Sequence, residues 1–408
     1  MPHPQTAPGP RLAEFVALMA LMTSLVAMSI DLMLPALADI GAELGVQSDN
    51  AGQLVVTMLF LGLAVGQLFY GALSDSVGRK PAIYLGYGVF FAGSLLSIFA
   101  VTFPMLLAGR LLQGLGAAGP RGVSMALIRD RFEGRAMAQV MSFITVVFIL
   151  VPVIAPSLGQ AILLVAAWRA IFGALLALGV VSLLWFALRQ PETLPAARRA
   201  PLSAARIGRA LREVLGNPIA LGYTLMAGLI AAALQGYLSS AQQIFQFQYG
   251  LGTRFPLFFA VNALAIGLAS FANGRLVMRF GMRSLLRAAL LTLCALALAF
   301  AGVALATGGR PPLWLFMAYL LPGFFCIGIL FGNMNALAME PLGHVAGVGA
   351  AVVGSLSTLL ATPLGAAVGQ AYDGTVTPLA LGFAACGLGA LALMYWVEGK
   401  RAAHRLAE

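Results

Sequence analysis

The fold of this chain is decided by the stretch from Gly71 to Pro81, which reads GALSDSVGRKP. This composition of Gly, Asp, Arg and Lys predicts a tight, charged loop between two apolar runs that are each long enough to cross a bilayer. A looser copy, GRLVMRFGMR, extends from Gly274 to Arg283, so the two copies begin 203 positions apart (71 to 274) in a chain of 408 residues. A charged segment that recurs after half the chain predicts an internal duplication.

The composition excludes a water-soluble fold. Hydrophobic residues make up 61% of the chain and charged residues only 9%, against about 25% charged residues in soluble domains. The apolar runs are long and continuous, which predicts an all-α integral membrane protein rather than a barrel of strands. The three cysteines lie singly within apolar runs, so we expect them to serve packing and not a disulfide or a metal site: Cys294, Cys326 and Cys386.

Gly, Pro and charge clusters divide the apolar sequence into twelve predicted membrane helices. These are expected near residues 12–35, 51–70, 81–101, 104–128, 137–160, 168–188, 218–243, 255–273, 284–306, 313–337, 345–371 and 376–397. Residues 189–217 are rich in Arg, Ala and Pro, which predicts a cytoplasmic linker with room for a surface helix. The expected organisation is an N-terminal six-helix half (1–188), this linker, and a C-terminal six-helix half (218–408).

The net charge of +10 follows the predicted membrane topology. Of the 24 Lys and Arg residues, 19 fall in segments that the twelve-helix prediction places on one side of the membrane. Only Arg169, Arg254 and Arg310 fall on the other side. Because positive residues concentrate on the cytoplasmic side, both termini are expected in the cytoplasm. The basic balance therefore indicates membrane topology and not a nucleic-acid surface.

The pattern G-x-L-x-D-x-x-G-R-K at residues 71–80 resembles the segment between the second and third helices of the major facilitator superfamily. Further stretches narrow the resemblance: DLMLPAL (31–37), GQLFYG (66–71), GRLLQGLGAA (109–118), IRD (128–130), PVIAPSLG (152–159), WRAIF (168–172) and NMNA (333–336). Together they resemble the bicyclomycin-resistance (Bcr/CflA) group of drug:proton antiporters. The resemblance implies the major facilitator fold, with twelve helices in two pseudo-symmetric halves, and export of drugs in exchange for protons.

Asp31 is the first candidate for proton coupling. It is the one acidic residue that falls clearly inside a predicted helix, and an ionisable group in the bilayer is costly enough to indicate function. The resemblance implies that this carboxylate, which precedes the Leu-Pro break, gains and loses the transported proton. Arg110 lies in the similar R-x-x-Q-G pattern, and the helix directions place both residues in the outer half, where we expect them to approach each other. The alternatives are a purely structural ion pair, or an idle Asp31 at the outer interface.

Arg121 and Gln113 are the first candidates for substrate binding. Arg110 and Arg121 lie 11 positions apart, which is about 20° on a helical wheel, and Gln113 falls near the same face. That face is expected to point at a cavity rather than at lipid. Arg121 departs from the similar family pattern, whose arginine lies nearer the I-R-D end. With no carboxylate partner evident, Arg121 is expected to bind an anionic or zwitterionic substrate group, and helix carbonyls or a water-filled vestibule are the alternative.

The seventh predicted helix carries a stripe of neutral polar residues, Gln235, Ser239 and Gln242, at helical spacing. With aromatic residues close by in sequence, such a stripe suits a binding pocket for varied compounds. Polar side chains also join helices to one another in membranes, so both interpretations stay open. Asn262, Asn333 and Asn335 are weaker candidates of the same kind.

The charged segment itself predicts a gate. Asp75 is expected to dock on the positive N-terminal end of the eleventh predicted helix, near residues 343–347. The resemblance implies that Arg79 and Arg129 complete this contact. The fifth predicted helix resembles an antiporter motif, in which prolines remove backbone donors and a glycine permits close helix approach. Its residues are Pro152, Pro156 and Gly159.

These observations predict a proton-coupled secondary transporter that exports small amphipathic compounds by alternating access, not an enzyme. The substrate is expected to be a drug or metabolite, with an anionic or zwitterionic group, and antibiotic resistance is an expected consequence. No phosphate-binding G-x-x-x-x-G-K-[ST] loop occurs, so we expect the proton gradient, and no cofactor, to drive transport. The expected location is a bacterial cytoplasmic (inner) membrane, crossed many times by a monomer.

Two alternatives remain. A symporter that imports a small anionic nutrient would use the same fold, and only the fifth-helix motif argues against it. A non-transporting membrane sensor would be expected to carry a large appendage, whereas the tails before Leu12 and after Val397 are short.

Overall fold

The computed structural model describes residues 10–46, 48 and 50–407. In this part the chain forms helices joined by short turns, and no β-strand. The first helices are α1 (Leu12–Asp31), α2 (Leu37–Glu43), α3 (Leu54–Val77), α4 (Arg79–Ile98), α5 (Phe103–Arg131), α6 (Gly134–Leu163) and α7 (Arg169–Arg189). The others are α8 (Ala204–Gly216), α9 (Pro218–Gln242), α10 (Phe255–Phe280), α11 (Met282–Ala306), α12 (Leu313–Met339), α13 (Ala346–Gln370) and α14 (Thr377–Ala407).

The helix positions agree with the hydropathy pattern. Each of the twelve predicted segments overlaps one helix of at least 20 residues. Eleven helical segments among the described residues are long and apolar enough to cross a membrane, which makes the chain a multi-pass membrane protein. Helix α5 is not among them, because Gly, Gln and Arg dilute its apolar residues. It packs against α1, α3 and α4. A twelfth crossing by α5 stays a prediction.

The charged segment at residues 71–81 is helical, not a loop. Helix α3 continues through it to Val77 and α4 begins at Arg79, so Gly78 alone forms the joint. Gly78 has φ +108° and ψ 164°, a combination that side-chain-bearing residues rarely adopt. Gly281 joins α10 to α11 with similar backbone angles, φ +77° and ψ 153°. These joints, at 78 and 281, are 203 positions apart, as are the two sequence copies.

We group the helices by their order in the chain into two sets, α1–α7 and α9–α14, and contacts occur within each set and between them. Helix α1 packs against α5, α6 and α7, and α9 packs against α12, α13 and α14. Between the sets, α3 contacts α13 and α6 contacts α10. In the linker, α8 packs on α9 and α13 with Ala210 and Val214 buried. We call the end of the molecule near residues 190–217 the linker side, and the opposite end, where α2 lies, the far side.

Candidate functional site

A cavity of about 480 Å³ lies between the two sets of helices. Its wall is formed by α1, α3, α5 and α6 on one side and by α9, α10, α12 and α13 on the other. The wall is mainly apolar, and its aromatic residues are Phe60, Phe148, Tyr237, Phe259, Phe324 and Phe331. The volume and the few polar groups suit a small organic molecule.

Asp31 lies in this wall. It is the last residue of α1, and only 4% of its surface is exposed. The sequence produces this position because the chain leaves the α-helix at Leu32 and enters a short 3₁₀ turn that contains Pro35. Asp31 forms no hydrogen bond or ion pair with the described part of the chain. Tyr237 lines the cavity with it, and the Tyr237 hydroxyl accepts a hydrogen bond of 3.1 Å from Asn262 Nδ2.

Arg110 does not pair with Asp31, contrary to expectation. Its side chain is fully buried and donates three hydrogen bonds. The acceptors are the Ser29 carbonyl (2.7 Å), the Val55 carbonyl (3.2 Å) and Gln113 Oε1 (2.6 Å). The guanidinium therefore ties α5 to α1 and α3 through backbone oxygens. Its contact on α1, Ser29, is two residues before Asp31, and its hydrogen bonds are made without the Asp31 carboxylate.

Gln113 also lies outside the cavity wall, although the helical wheel predicted a substrate contact. Its Nε2 donates to Ser94 Oγ at 2.8 Å while its Oε1 accepts from Arg110. The reason is the small residue beside it: a Cβ at Gly114 would lie 2.0 Å from the Leu59 carbonyl oxygen. This face of α5 packs directly on α3, so no cavity opens there.

Arg121 does reach the cavity. It lies in the wall with its guanidinium carbon 6.0 Å from the centre of the Phe148 ring. Within the described residues it has no carboxylate partner, as its sequence context suggested. Pro120 precedes it inside α5, and Arg121 lies about three turns of helix beyond Arg110. A guanidinium over an aromatic ring can still offer its N–H groups to an acid.

The polar stripe of α9 is divided between different surroundings. Gln235 lies in the cavity wall. Ser239 is buried against α13, where a Cβ at Gly369 would lie 2.7 Å from the Ser239 Cβ. Gln242 donates to Gln246 Oε1 at 2.9 Å, because α9 ends here and passes into a π-helical turn. Both lie outside the described cavity wall.

Two of the three candidate asparagines join helices. Asn262 of α10 donates to Tyr237 of α9, as noted above, and Asn333 of α12 donates to Asn273 Oδ1 of α10 at 2.8 Å. Neither lies in the described cavity wall. Asn335, a weaker candidate of the same kind, does lie in the wall. Five other polar wall residues were not predicted as site residues, because neither charge nor a repeated spacing marks them in the sequence: Gln67, Thr145, Ser270, Ser357 and Thr358.

On the linker side, Arg79 is the centre of the charged cluster. It pairs with Asp75 at 2.6 Å and with Asp130 at 2.9 Å. Glu192 of the linker accepts hydrogen bonds from the backbone N–H groups of Arg79 (3.0 Å) and Lys80 (2.9 Å). The cluster therefore joins α3, α4, α5 and the linker.

This arrangement corrects two expectations about the gate. Among the described residues Asp75 pairs with Arg79 and approaches Arg206 of α8 at 4.0 Å, and it does not dock on α13. The side chains at 344–346 lie outside the described part. Arg129 is exposed, and it is the neighbouring Asp130 that joins the cluster. The charge of the segment alone could not show which of two adjacent residues pairs with the cluster.

The proline and glycine set of α6 lies beside the cavity and the end of α1. Pro152 lies in the cavity wall, and Pro156 is buried one turn further along. A Cβ at Gly159 would lie 1.9 Å from the Leu32 carbonyl oxygen. Helix α6 therefore contacts the chain directly after Asp31, through a position that only glycine can occupy without a shift.

The far side is joined by a hydrogen-bond cluster around Asn50. Its Nδ2 donates to the carbonyls of Gln370 (2.9 Å) and Tyr372 (2.7 Å), and its Oδ1 accepts from Gln243 Nε2 (2.9 Å). Gln370 Nε2 in turn donates to the Asn50 carbonyl at 2.7 Å. The cluster connects the segment before α3 with the ends of α9 and α13. No sequence pattern singled out Asn50.

Comparison with known proteins gives one family. The sequence profile described as Major Facilitator Superfamily matches residues 19–366. The chain is 32% identical to an uncharacterized MFS-type transporter, YdgK, of Bacillus subtilis, over 92% of this chain and 93% of that protein. It is 30% identical to the bicyclomycin resistance protein homolog of Haemophilus influenzae, over 91% and 93% of the two chains. It is also 30% identical to the multidrug resistance protein MdtL of Escherichia coli, over 80% of each chain.

A solved structure has the same fold. The human organic anion transporter MFSD10 (TETRAN) superimposes with a TM-score of 0.70, over 95% of this chain and 100% of that chain. The sequence identity is 18%, so the similarity concerns the fold alone.

Proposed function

This chain belongs to the Major Facilitator Superfamily, and from that premise we propose that it is a proton-coupled exporter of small amphipathic compounds. The family makes it a membrane transporter and not an enzyme. Export is supported by the two relatives named for bicyclomycin and multidrug resistance. The proline and glycine set of α6, which resembles an antiporter motif, supports exchange over co-transport.

The observation that carries the proposal is Asp31. A nearly buried carboxylate with no hydrogen-bond or ion-pair partner in the described chain is costly while it is charged. Binding a proton, or a positively charged group of a substrate, removes that cost. If the two compete for Asp31, each leaves when the other arrives. Competition of this kind, repeated on both sides of the membrane, couples export of a compound to entry of a proton.

Arg110 has a positioning role in this proposal. It holds the Ser29 carbonyl and so fixes the last turn of α1, from which Asp31 faces the cavity. Gln113 holds the guanidinium in place. Gln235 and Arg121 lie in the wall where a bound compound would contact them.

Alternating access would come from two six-helix halves, residues 1–188 and 218–408, joined by the linker 189–217. The repeated glycine joints at 78 and 281 support this division. The Asn50 cluster would close the far side, and the Arg79 cluster would be rebuilt when the linker side closes and opens. In this proposal α5 also crosses the membrane, which brings the number of membrane helices to twelve.

We further propose that the chain works as a monomer in the cytoplasmic membrane of a bacterium, with both termini in the cytoplasm. The distribution of Lys and Arg supports this orientation. The proton gradient would be the energy source, with no cofactor. The linker side would then face the cytoplasm and the far side would face outward.

Transport in sealed vesicles tests the proposal. Purified protein is reconstituted around a pH-sensitive dye, a proton gradient is imposed, and bicyclomycin or ethidium is added. We expect protons and compound to move in opposite directions. Asp31→Asn should abolish the coupled proton movement, whereas Asp39→Asn, which neutralises an exposed carboxylate on α2, should not. Movement in the same direction would show a symporter, and unchanged coupling in Asp31→Asn would refute the role of Asp31.

A further inference from the structure

The described cavity wall contains two opposite charges that have no ion-pair partner. Among the described wall residues, Asp31 carries the carboxylate and Arg121 carries the guanidinium. Neither forms an ion pair within the described chain. Tyr237 of α9 is the third titratable group in that wall, and α6 contributes Thr145, Phe148 and Pro152, which carry no charge. A buried charge without a partner is costly, so each group favours a ligand of opposite sign.

The two charges lie at different depths. Arg110 bonds the Ser29 carbonyl, so these two residues are at about the same level. Arg121 is 11 residues further along α5, and Asp31 is two residues past Ser29 along α1, which at 1.5 Å per residue puts their backbones about 20 Å apart in depth. Side chains lean toward the start of their helix, and α1 and α5 run in opposite directions, so the two side chains lean toward each other. The charged groups are then on the order of 10 Å apart.

From this geometry we propose that the preferred substrate is an elongated amphoteric compound, with an ammonium group at Asp31 and a carboxylate at Arg121. This inference rests on the proposed antiport. The space between the charges is bordered by aromatic rings, among them Phe148, Phe259 and Phe324, so the body of the compound is aromatic or aliphatic. An α-amino acid is too short, because its two charges are separated by only a few ångströms of covalent structure.

The need to exchange the substrate for a proton favours amphoteric compounds over compounds with a single charge. A compound with only a negative charge binds best when Asp31 is protonated, and therefore favours co-transport with the proton. A compound with only a positive charge displaces the proton but leaves the Arg121 charge without a partner. A compound with both charges displaces the proton and neutralises Arg121. It therefore fits exchange best.

A matched series of three probes tests the proposal by equilibrium binding. The amphoteric probe is 4′-(aminomethyl)biphenyl-4-carboxylic acid, in which two aromatic rings separate the charges. Its carboxamide keeps only the positive charge, and its N-acetyl derivative keeps only the negative charge. Calorimetry on purified wild type, Arg121→Gln and Asp31→Asn gives the dissociation constants. Arg254→Gln, which removes an exposed arginine outside the cavity wall, is the control.

We expect wild type to bind the amphoteric probe about tenfold more tightly than either derivative, since each charged contact is worth at least that factor. Arg121→Gln should weaken the amphoteric probe about tenfold and leave the carboxamide within about twofold. Asp31→Asn should weaken the amphoteric probe and the carboxamide but not the N-acetyl derivative. Arg254→Gln should change none of them.

Equal binding of the three probes to wild type, or binding of none, would overturn the proposal. So would an Arg121→Gln protein that keeps full affinity for the amphoteric probe. If Arg121→Gln does not fold, the wild-type series and Arg121→Lys still decide, because lysine keeps the charge but loses the bidentate geometry. The binding series needs no proton gradient, so a negative result would refute the amphoteric substrate but not the proposed antiport. A negative vesicle experiment would refute antiport but not the measured binding.

Discussion

At the scale of single residues, the molecule contains two buried charged groups near the end of α1 that differ in their surroundings. Arg110 is satisfied by three acceptors and lies outside the cavity wall. Asp31 has none within the described part of the chain, and it faces the cavity. A satisfied group in a packed interior stabilises one structure, whereas an unsatisfied group beside a cavity favours binding. We therefore assign proton exchange to Asp31 and structure to Arg110.

Gln113→Leu should destabilise the protein by about 1–3 kcal/mol, because it leaves Arg110 Nη1 and Ser94 Oγ without their partner in a buried position. Thermal unfolding in detergent measures the change. Gln139→Leu, at an exposed position on α6, should leave the unfolding temperature nearly unchanged. Equal effects of the two substitutions would mean that the Arg110 network contributes nothing to stability.

Sequence reasoning identified both charged residues of the cavity wall but few of its neutral polar residues, among them Gln235. Asp31 and Arg121 could be predicted because a charge inside a membrane helix is costly wherever it lies. Gln113 and Ser239 could not be placed, because a helical wheel gives directions about one axis and not the identity of the neighbouring helix. At both positions a glycine, Gly114 or Gly369, brings the next helix into contact and closes the space.

At the scale of elements, the glycine joints at 78 and 281 are alike in the two copies of the repeat, whereas the charged residues around them differ. The sequence predicted a loop at residues 71–81, because Asp, Arg and Gly are typical of loops. In the structure these residues are helical except Gly78, since Arg79, Asp75 and Asp130 neutralise one another. Most helix boundaries elsewhere follow the apolar runs within a few residues, but α10 and α14 continue to Phe280 and Ala407, past their predicted ends at 273 and 397.

Gly78→Ala and Gly281→Ala should each cost about 1–3 kcal/mol, because both glycines have backbone angles that alanine rarely adopts. Gly78→Ala should cost more, since its Cβ would lie 2.8 Å from Glu192 Oε2, whereas nothing lies within 4 Å at Gly281. Thermal unfolding compares them with Gly302→Ala on α11, where a Cβ meets no neighbour and a neutral or slightly stabilising effect is expected. An alanine at Gly281 that costs nothing would contradict the argument from backbone angles.

Gly159→Ala should impair transport, because its Cβ would lie 1.9 Å from the Leu32 carbonyl oxygen and must displace either α6 or the end of α1. Vesicle transport should fall severalfold, and stability by about 1–3 kcal/mol. Gly173→Ala on α7 meets no neighbour within 4 Å and is the matched control. Normal transport by Gly159→Ala would show that the position of Leu32 does not matter for coupling.

At the scale of the whole molecule, the cavity lies between two sets of helices that are joined on the far side by Asn50. Hydropathy and positive charge were sufficient to predict the helices and their order. The far-side cluster could not be predicted, because its members are single Asn, Gln and Tyr residues far apart in sequence. Their contact depends on how the two sets meet, which no local pattern records.

Asn50→Ala should open the far side, because it removes three of the four hydrogen bonds of that cluster. At about 1 kcal/mol for each bond, the open form should become at least about fivefold more populated. The measurement is the rate at which an impermeant maleimide, added on the far side, labels Ala231→Cys in the cavity wall, in a background with the three native cysteines replaced by serine. Ser48→Ala is the control, and an unchanged rate in Asn50→Ala would contradict the role of Asn50.

The central claim is that a proton and a substrate compete for Asp31, and proton release on binding tests it most directly. Purified protein in weakly buffered detergent solution is mixed with a saturating amount of a transported compound, and the pH change is recorded. The account predicts release of about one proton for each protein molecule, at a pH where Asp31 is protonated, and no release from Asp31→Asn. Binding without proton release, or equal release from Asp31→Asn, would contradict it.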